Sequence, residues 1–85
     1  MLVNKEILKK QIIYRSMHRG SKEMDLLLGS FVKKHINKLK VTELEDLAKL
    51  LIIEDEVIYK WYFKNNLDAL VPKTKVSTML KNFKL

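Results

Sequence analysis

The sequence lacks cysteine and contains only two glycines and one proline in 85 residues. Without cysteine, the chain forms no disulfide and binds no zinc through thiolates. So few turn residues argue against a sheet of many strands. The composition, 47% hydrophobic and 32% charged residues, is typical of a globular protein. A chain of this length predicts one domain, residues 1–85, which buries roughly 60–65% of its unfolded surface.

The sequence also lacks a long hydrophobic run. Lysine and glutamate interrupt residues 1–14 every few positions, so this segment is neither a signal-peptide core nor a membrane span. It contains no serine before Ser16, which argues against a transit peptide. We therefore expect no membrane insertion, and the missing leader favours a bacterial cytoplasmic location.

The net charge of +7 is unevenly distributed. Residues 1–40 carry ten Lys/Arg against three Asp/Glu, residues 41–72 three against seven, and residues 73–85 four against none. A basic half beside an acidic segment indicates an anionic partner surface more than uniform binding to nucleic acid.

Apolar residues recur at helical spacing through almost the whole chain, which predicts an all-α, compact bundle of about five short helices. Asn4 is expected to cap a first helix that ends near Met17. A second helix is expected from Ser21 to Ile36. The predicted buried stripes are Leu8, Ile12, Ile13 and Met17 in the first helix, and Met24, Leu27, Leu28, Phe31 and His35 in the second.

Three further helices are predicted. Thr42 and Glu45, three residues apart, form a capping-box pattern at the start of the third helix. Asp55 is the expected cap of the fourth helix. Pro72 prevents a helix from running through the loop at residues 65–73, and residues 74–85 form the fifth.

Residues suited to catalysis are few. His35 ends an apolar stripe, which favours a half-buried structural role, and His18 lies between two predicted helices. No pair of histidines at metal-ligand spacing, phosphate-binding glycine loop or nucleophile with a base is present. We therefore predict that the chain is not an enzyme and holds no metal.

The segment between the first two helices gathers positive charge from Arg15, Arg19 and Lys22. Arg19 can hold an oxyanion through two parallel hydrogen bonds, and Gly20 allows a tight reversal and close approach of a partner. Glu23 is expected to accept from the Gly20 N–H or to pair with Arg19. We expect Arg19 and Gly20 to face outward. The alternative is that Gly20 only ends one helix and Glu23 stabilises the next.

The same segment resembles the Arg-Gly-x-x-Glu (RGxxE) signature of the succinate dehydrogenase flavinylation factors, also called FAD assembly factors. The matching positions are Tyr14, Arg15, Arg19, Gly20, Glu23, Met24, Asp25, the leucines at 26–28 and Phe31. A second block matches at Thr42, Glu45, Leu50, Leu51, the acidic residues 54–56 and residues 58–61. The resemblance is strongest over residues 10–65.

The resemblance implies a helical assembly factor that binds the flavoprotein subunit of succinate dehydrogenase and promotes covalent attachment of FAD to that subunit. The flavoprotein of fumarate reductase is an alternative client. The chain itself is expected to hold no cofactor stably and to be a monomer. The implied partner-binding residues are Arg15, Arg19, Gly20, Glu23 and Asp25.

Two other functions stay open at this point. A basic helical domain is compatible with nucleic-acid binding, but the third and fourth helices, which could mimic a helix-turn-helix, form the acidic segment. We therefore expect no nucleic-acid partner. A general helical adaptor, whose leucine-rich second helix pairs with a partner helix, is the other alternative.

Overall fold

Five α-helices account for most of the chain in the computed structural model, which describes residues 4–66 and 69–85. They are α1 (Lys5–Met17), α2 (Lys22–His35), α3 (Val41–Leu50), α4 (Asp55–Phe63) and α5 (Lys75–Asn82), with a 3₁₀ turn (Ile36–Lys38) after α2. Helix α1 packs against α2 and α3, and α3 packs against α5. The predicted all-α bundle is therefore confirmed. Residues 67 and 68 of the predicted loop lie outside the described residues.

Side chains just before three helices satisfy the first free backbone N–H groups, as local sequence signals predict. The Asn4 side-chain oxygen accepts from the backbone N–H of Glu6 at 3.0 Å and of Ile7 at 3.2 Å. Ser21 caps α2 through the N–H of Met24, and Thr74 caps α5. Such caps each stabilise a helix by about 1 kcal/mol, so these helix starts are fixed locally.

The predicted start of α3 is wrong by two residues. The residue before the helix is Lys40, not Thr42, and the Glu43 carboxylate accepts the Lys40 backbone N–H at 2.9 Å. The acid that accepts from the N-cap backbone is thus Glu43, and Glu45 lies two residues further into the helix. Thr42 cannot cap because its own backbone is already helical.

Glu43 also joins α3 to α5, because its second carboxylate oxygen lies 3.1 Å from the Lys75 ammonium. The hydrogen bond from Lys40 N–H lowers the pKa of Glu43 below its ordinary value of 4.5, and the Lys75 contact lowers it further. A carboxylate with a lowered folded pKa stabilises the fold above its unfolded pKa. This contribution is lost as the pH falls through the folded pKa.

Glu43→Gln is therefore expected to unfold at a lower urea concentration than the unaltered chain near pH 7. The difference between the two urea midpoints should shrink as the pH falls below about 4.5. Circular dichroism at the two ends of this pH range measures it. Equal midpoints at neutral pH would show that the Glu43 contacts contribute nothing to stability.

The core lies between α1, α2 and α3 and is closed by α4 and α5. Phe31 is fully buried, and its ring meets that of Phe83 edge to face at 5.5 Å between centroids. The buried apolar side chains are Ile12, Met24, Leu27, Leu28, Phe31, Val32, Ile36, Leu39, Leu44, Leu47, Leu50, Leu51, Ile58, Val76 and Leu80. The predicted stripe of α2 is confirmed, and His35 at its end is half-buried.

The predicted stripe of α1 is only partly correct. Ile12 is fully buried, but Ile13 is 40% exposed and Met17 is 60% exposed. Periodicity alone placed all of them on one face, whereas α1 contacts the bundle along a narrower strip. These apolar side chains therefore reach the surface beside α2.

Candidate partner-binding site

The side chain of Arg19 is buried between helices rather than exposed to a partner. Its side chain is only 8% exposed. Its guanidinium donates to the backbone carbonyls of Leu51 at 2.6 Å and Ile53 at 2.8 Å, and its Nε donates to Asp55 at 2.6 Å. The prediction that this guanidinium faces outward is therefore wrong. The carbonyls that follow α3 and the Asp55 carboxylate occupy its donors, which a helix C-terminus favours.

Two carboxylates hold the backbone of the loop between α1 and α2. Asp55 accepts from Arg19 Nε with one oxygen and from the Gly20 backbone N–H with the other, at 2.5 Å. Asp25 accepts the Arg19 backbone N–H at 2.7 Å. The prediction that Glu23 accepts from Gly20 or pairs with Arg19 is therefore wrong, because Asp55 does both. Consecutive N–H groups bound to separate carboxylates give the loop a fixed shape.

Asp55 was predicted only as the cap of α4, and that role is also wrong. It is the first helical residue of α4, and Glu54 precedes the helix. The sequence offered no local signal for its contacts, because Asp55 lies 36 positions after Arg19. An acidic residue after α3 and an arginine before α2 become neighbours only when the bundle is assembled.

Gly20 is exposed, and a side chain there would crowd Asp55. A Cβ placed on Gly20 would lie 3.1 Å from the nearer Asp55 oxygen, tighter than ordinary van der Waals contact. No glycine among the described residues has a positive φ. The tight reversal at Gly20 therefore does not depend on the left-handed conformation that favours glycine. A side chain at Gly20 would require only that the Asp55 carboxylate shift by a few tenths of an ångström.

Arg15 and Glu23 are the predicted site residues whose side chains do point to solvent. Ser21, Glu23, Met24, Asp55, Glu56 and Tyr59 line a shallow groove of about 380 Å³ beside the loop. The predicted site therefore divides into two parts. Arg19 and Asp25 hold the loop through hydrogen bonds within the protein. Gly20, Glu23 and Arg15 are exposed to solvent.

Both histidines are engaged in local contacts. The His18 ring stacks on Tyr14 with centroids 3.9 Å apart, and its Nδ1 lies 2.7 Å from the Tyr14 carbonyl oxygen. His35 packs against Phe31 at 4.7 Å. Burial lowers the pKa of His35, and the nearby charges of Lys34 and Lys38 lower it further. The predicted half-buried position of His35 is confirmed.

Within residues 4–66 and 69–85, no cluster of histidines and carboxylates forms a metal site, and no helix is long and apolar enough to cross a membrane. The fold and the loop define a small helical domain whose distinctive feature is an exposed backbone corner at Gly20, held by the Asp25 and Asp55 carboxylates. A corner of this kind suits contact with another protein.

The chain belongs to the family described as the flavinator of succinate dehydrogenase, whose family model matches residues 10–84. The family resemblance proposed from the motif is therefore confirmed. The family description, together with the relatives' name of assembly factor, agrees with the prediction that the chain is not an enzyme.

Curated relatives support the same assignment. The chain is 42% identical over 77 residues to the mitochondrial succinate dehydrogenase assembly factor 2 of Scheffersomyces stipitis, covering 89% of this chain and 52% of the relative. It is 41% identical over 76 residues to the protein of that name from Dictyostelium discoideum, with the same coverage. The chain thus spans about half the length of these relatives. No solved structure matches it.

The expected bacterial cytoplasmic location is wrong. Matching relatives from the yeasts Scheffersomyces stipitis and Meyerozyma guilliermondii and from Dictyostelium discoideum are named as mitochondrial. That expectation rested on the missing leader, and where the present sequence begins carries no information about location.

Proposed function

We propose that the chain binds the flavoprotein subunit of succinate dehydrogenase and promotes covalent attachment of FAD to it. The family assignment and the names of the relatives support this function. The structural observation that carries it is the fixed corner at Gly20. Its backbone is exposed, and the Asp55 carboxylate holds its N–H from below.

The contact surface comprises Gly20, with Glu23 and Arg15 on either side of it. A preformed loop loses little conformational freedom on binding, so its contacts convert into affinity more fully than those of a mobile loop. Arg19 and Asp25 contribute indirectly, because they fix the backbone that the partner meets. We therefore keep all five residues in the proposed site, with Arg19 and Asp25 as supports.

The chain acts on its client as a ligand that favours one conformation. Joining a flavin methyl carbon to a histidine of the client would break a methyl C–H bond, release the proton and leave the electron pair on the isoalloxazine as negative charge. The preorganised groups of the flavoprotein would stabilise that charge. The assembly factor stabilises the arrangement in which these groups are aligned, by its differential affinity for that state. FAD thus stays with the client, and the chain binds no cofactor stably.

The flavoprotein of fumarate reductase is a second candidate client, and the chain acts as a monomer. Both points are tested by one affinity purification from the source cells, followed by measurement of the mass of the complex. Recovery of one copy of the chain per flavoprotein is the expected result. The identity of the recovered flavoprotein decides between the clients.

Coexpression of the flavoprotein with and without this chain tests the proposed function. The expected result is strong in-gel flavin fluorescence of the denatured flavoprotein only when the chain is present, since covalent flavin survives denaturation. Free FAD in the growth medium controls for cofactor supply. Equal fluorescence without the chain would overturn the proposal.

A further inference from the structure

A second surface lies between α1 and α2, on the side of these helices away from the core. It is a groove of about 900 Å³ that opens to solvent. Its walls include Ile13 and Met17 from α1 and Leu26 from α2, and Leu26 is 59% exposed. Large apolar side chains that border one groove suit a partner's apolar side chains, because their contact removes this surface from water.

The α2 side of the groove follows a regular helical stripe. Lys22, Leu26, Gly29 and Lys33 occupy positions i, i+4, i+7 and i+11, which place them on one face of the helix. The two lysines are therefore about 16 Å apart along the helix axis. Neither ammonium group bonds to another described residue, and both lysines are exposed. Asp25, the acidic residue at this edge, has one oxygen bound to the Arg19 backbone N–H.

We propose that this groove holds an amphipathic helix of the flavoprotein partner. The partner helix places an apolar stripe on Ile13, Met17 and Leu26, and two acidic residues about three turns apart pair with Lys22 and Lys33. The naming of the flavoprotein rests on the proposed function, but the surface and its complement do not. Helix-in-groove recognition of this kind uses anchors at helical spacing.

Charge and shape disfavour a second copy of the chain and a lipid surface as the occupant. A second copy of the chain would have to offer an acidic amphipathic helix, and its most acidic helix, α3, already buries Leu44, Leu47 and Leu50 in its own core. Two copies would also bring a charge of +7 against +7. A lipid surface is flat, whereas the apolar side chains here line a concave groove.

Fluorescence anisotropy with a labelled, helix-favouring peptide tests the groove. The probe carries one leucine stripe and two glutamates about three turns apart, and a matched probe carries lysines in their place. The acidic probe is expected to bind, and its affinity should fall as the salt concentration rises. In the chain variant Lys22→Glu/Lys33→Glu, affinity for the acidic probe should fall about tenfold, and the lysine probe should now be preferred.

Two exposed apolar residues give a matched pair of variants. Leu26→Ser should weaken the acidic probe several-fold, whereas Ile7→Ser should not, since Ile7 is 55% exposed on α1 but does not line the groove. Neither change removes a buried side chain, so both variants should fold. Equal loss in both, or an unchanged charge preference in the double variant, would overturn the proposal. So would a dimer of the free chain that Leu26→Ser dissociates.

Binding and flavinylation measurements with the flavoprotein distinguish failure of this inference from failure of the proposed function. If both are correct, Leu26→Ser and the charge-reversed variant weaken binding of the flavoprotein and reduce its covalent flavin. If the chain promotes flavinylation but these variants act as well as the unaltered chain, the groove proposal is wrong and the proposed function stands. If the probe obeys the charge rule but the chain never affects flavinylation, the groove is real and the proposed function is wrong.

Discussion

Arg19→Ala is expected to lower the free energy of unfolding by about 3 kcal/mol. The substitution leaves the carbonyls of Leu51 and Ile53 without the Arg19 donors and leaves Asp55 with only the Gly20 N–H. Removing one partner of a buried ion pair costs about 3–5 kcal/mol. Since the Asp55 side chain is 27% exposed, water replaces part of the loss and the lower end applies. Urea unfolding followed by circular dichroism measures the change.

A loss of this size is large for a chain of this length, whose total stability is roughly 4–13 kcal/mol. The Arg19→Ala substitution should therefore lower client flavinylation largely because it destabilises the fold, not because a partner contact is lost. Arg19→Lys is the matched control, because lysine keeps the charge but not the planar fork that reaches both carbonyls. The free energy of unfolding of Arg19→Lys should lie between those of the unaltered chain and Arg19→Ala. An alanine variant as stable as the unaltered chain would refute the buried role.

Helices are the part of this fold that local sequence signals predict well. The spacing of Met24, Leu27 and Phe31 places them on one buried face, and caps such as Asn4 mark where a helix begins. These signals act over one or two helical turns. Local signals therefore predict where the helices lie without knowledge of their packing, except for the starts of α3 and α4.

The site was harder to predict because its contacts are distant in sequence. The pattern of basic residues around Arg19 is the same whether its guanidinium meets solvent, a partner or the end of another helix. Only the assembled bundle brings Asp55 to Arg19, and that contact converts an expected anion-binding group into an internal support. Likewise, periodicity could not show that Met17 lies at the surface.

Arg19 stabilises the loop, whereas Gly20 is proposed to contact the partner. Substitutions at Arg19 should therefore affect mainly stability, and substitutions at Gly20 mainly binding. The Arg19 side chain lies beneath the loop and makes three hydrogen bonds to the rest of the fold. Gly20 contributes only its backbone, and its outer side faces solvent. A large side chain at Gly20 can therefore extend outward without entering the core.

Gly20→Arg is expected to keep the fold and to abolish most client flavinylation. Its Cβ would meet Asp55 at 3.1 Å, which a small shift of the carboxylate relieves, so the stability cost should be about 1 kcal/mol. The rest of the arginine side chain covers the backbone that the partner is proposed to contact. Blocking a central contact of an interface costs about 2 kcal/mol or more, which is about a 30-fold loss of affinity.

Gly20→Ala separates the two effects of Gly20→Arg. It introduces the same contact with Asp55 but no bulk at the outer surface, so it should retain most binding and most covalent flavin. Thermal melts of both variants, flavoprotein binding by anisotropy and in-gel flavin fluorescence give the comparison. Matching melts with flavin lost only in the arginine variant would place the partner against Gly20. Full flavinylation with Gly20→Arg would show that the partner does not contact Gly20, since the arginine side chain would block that contact.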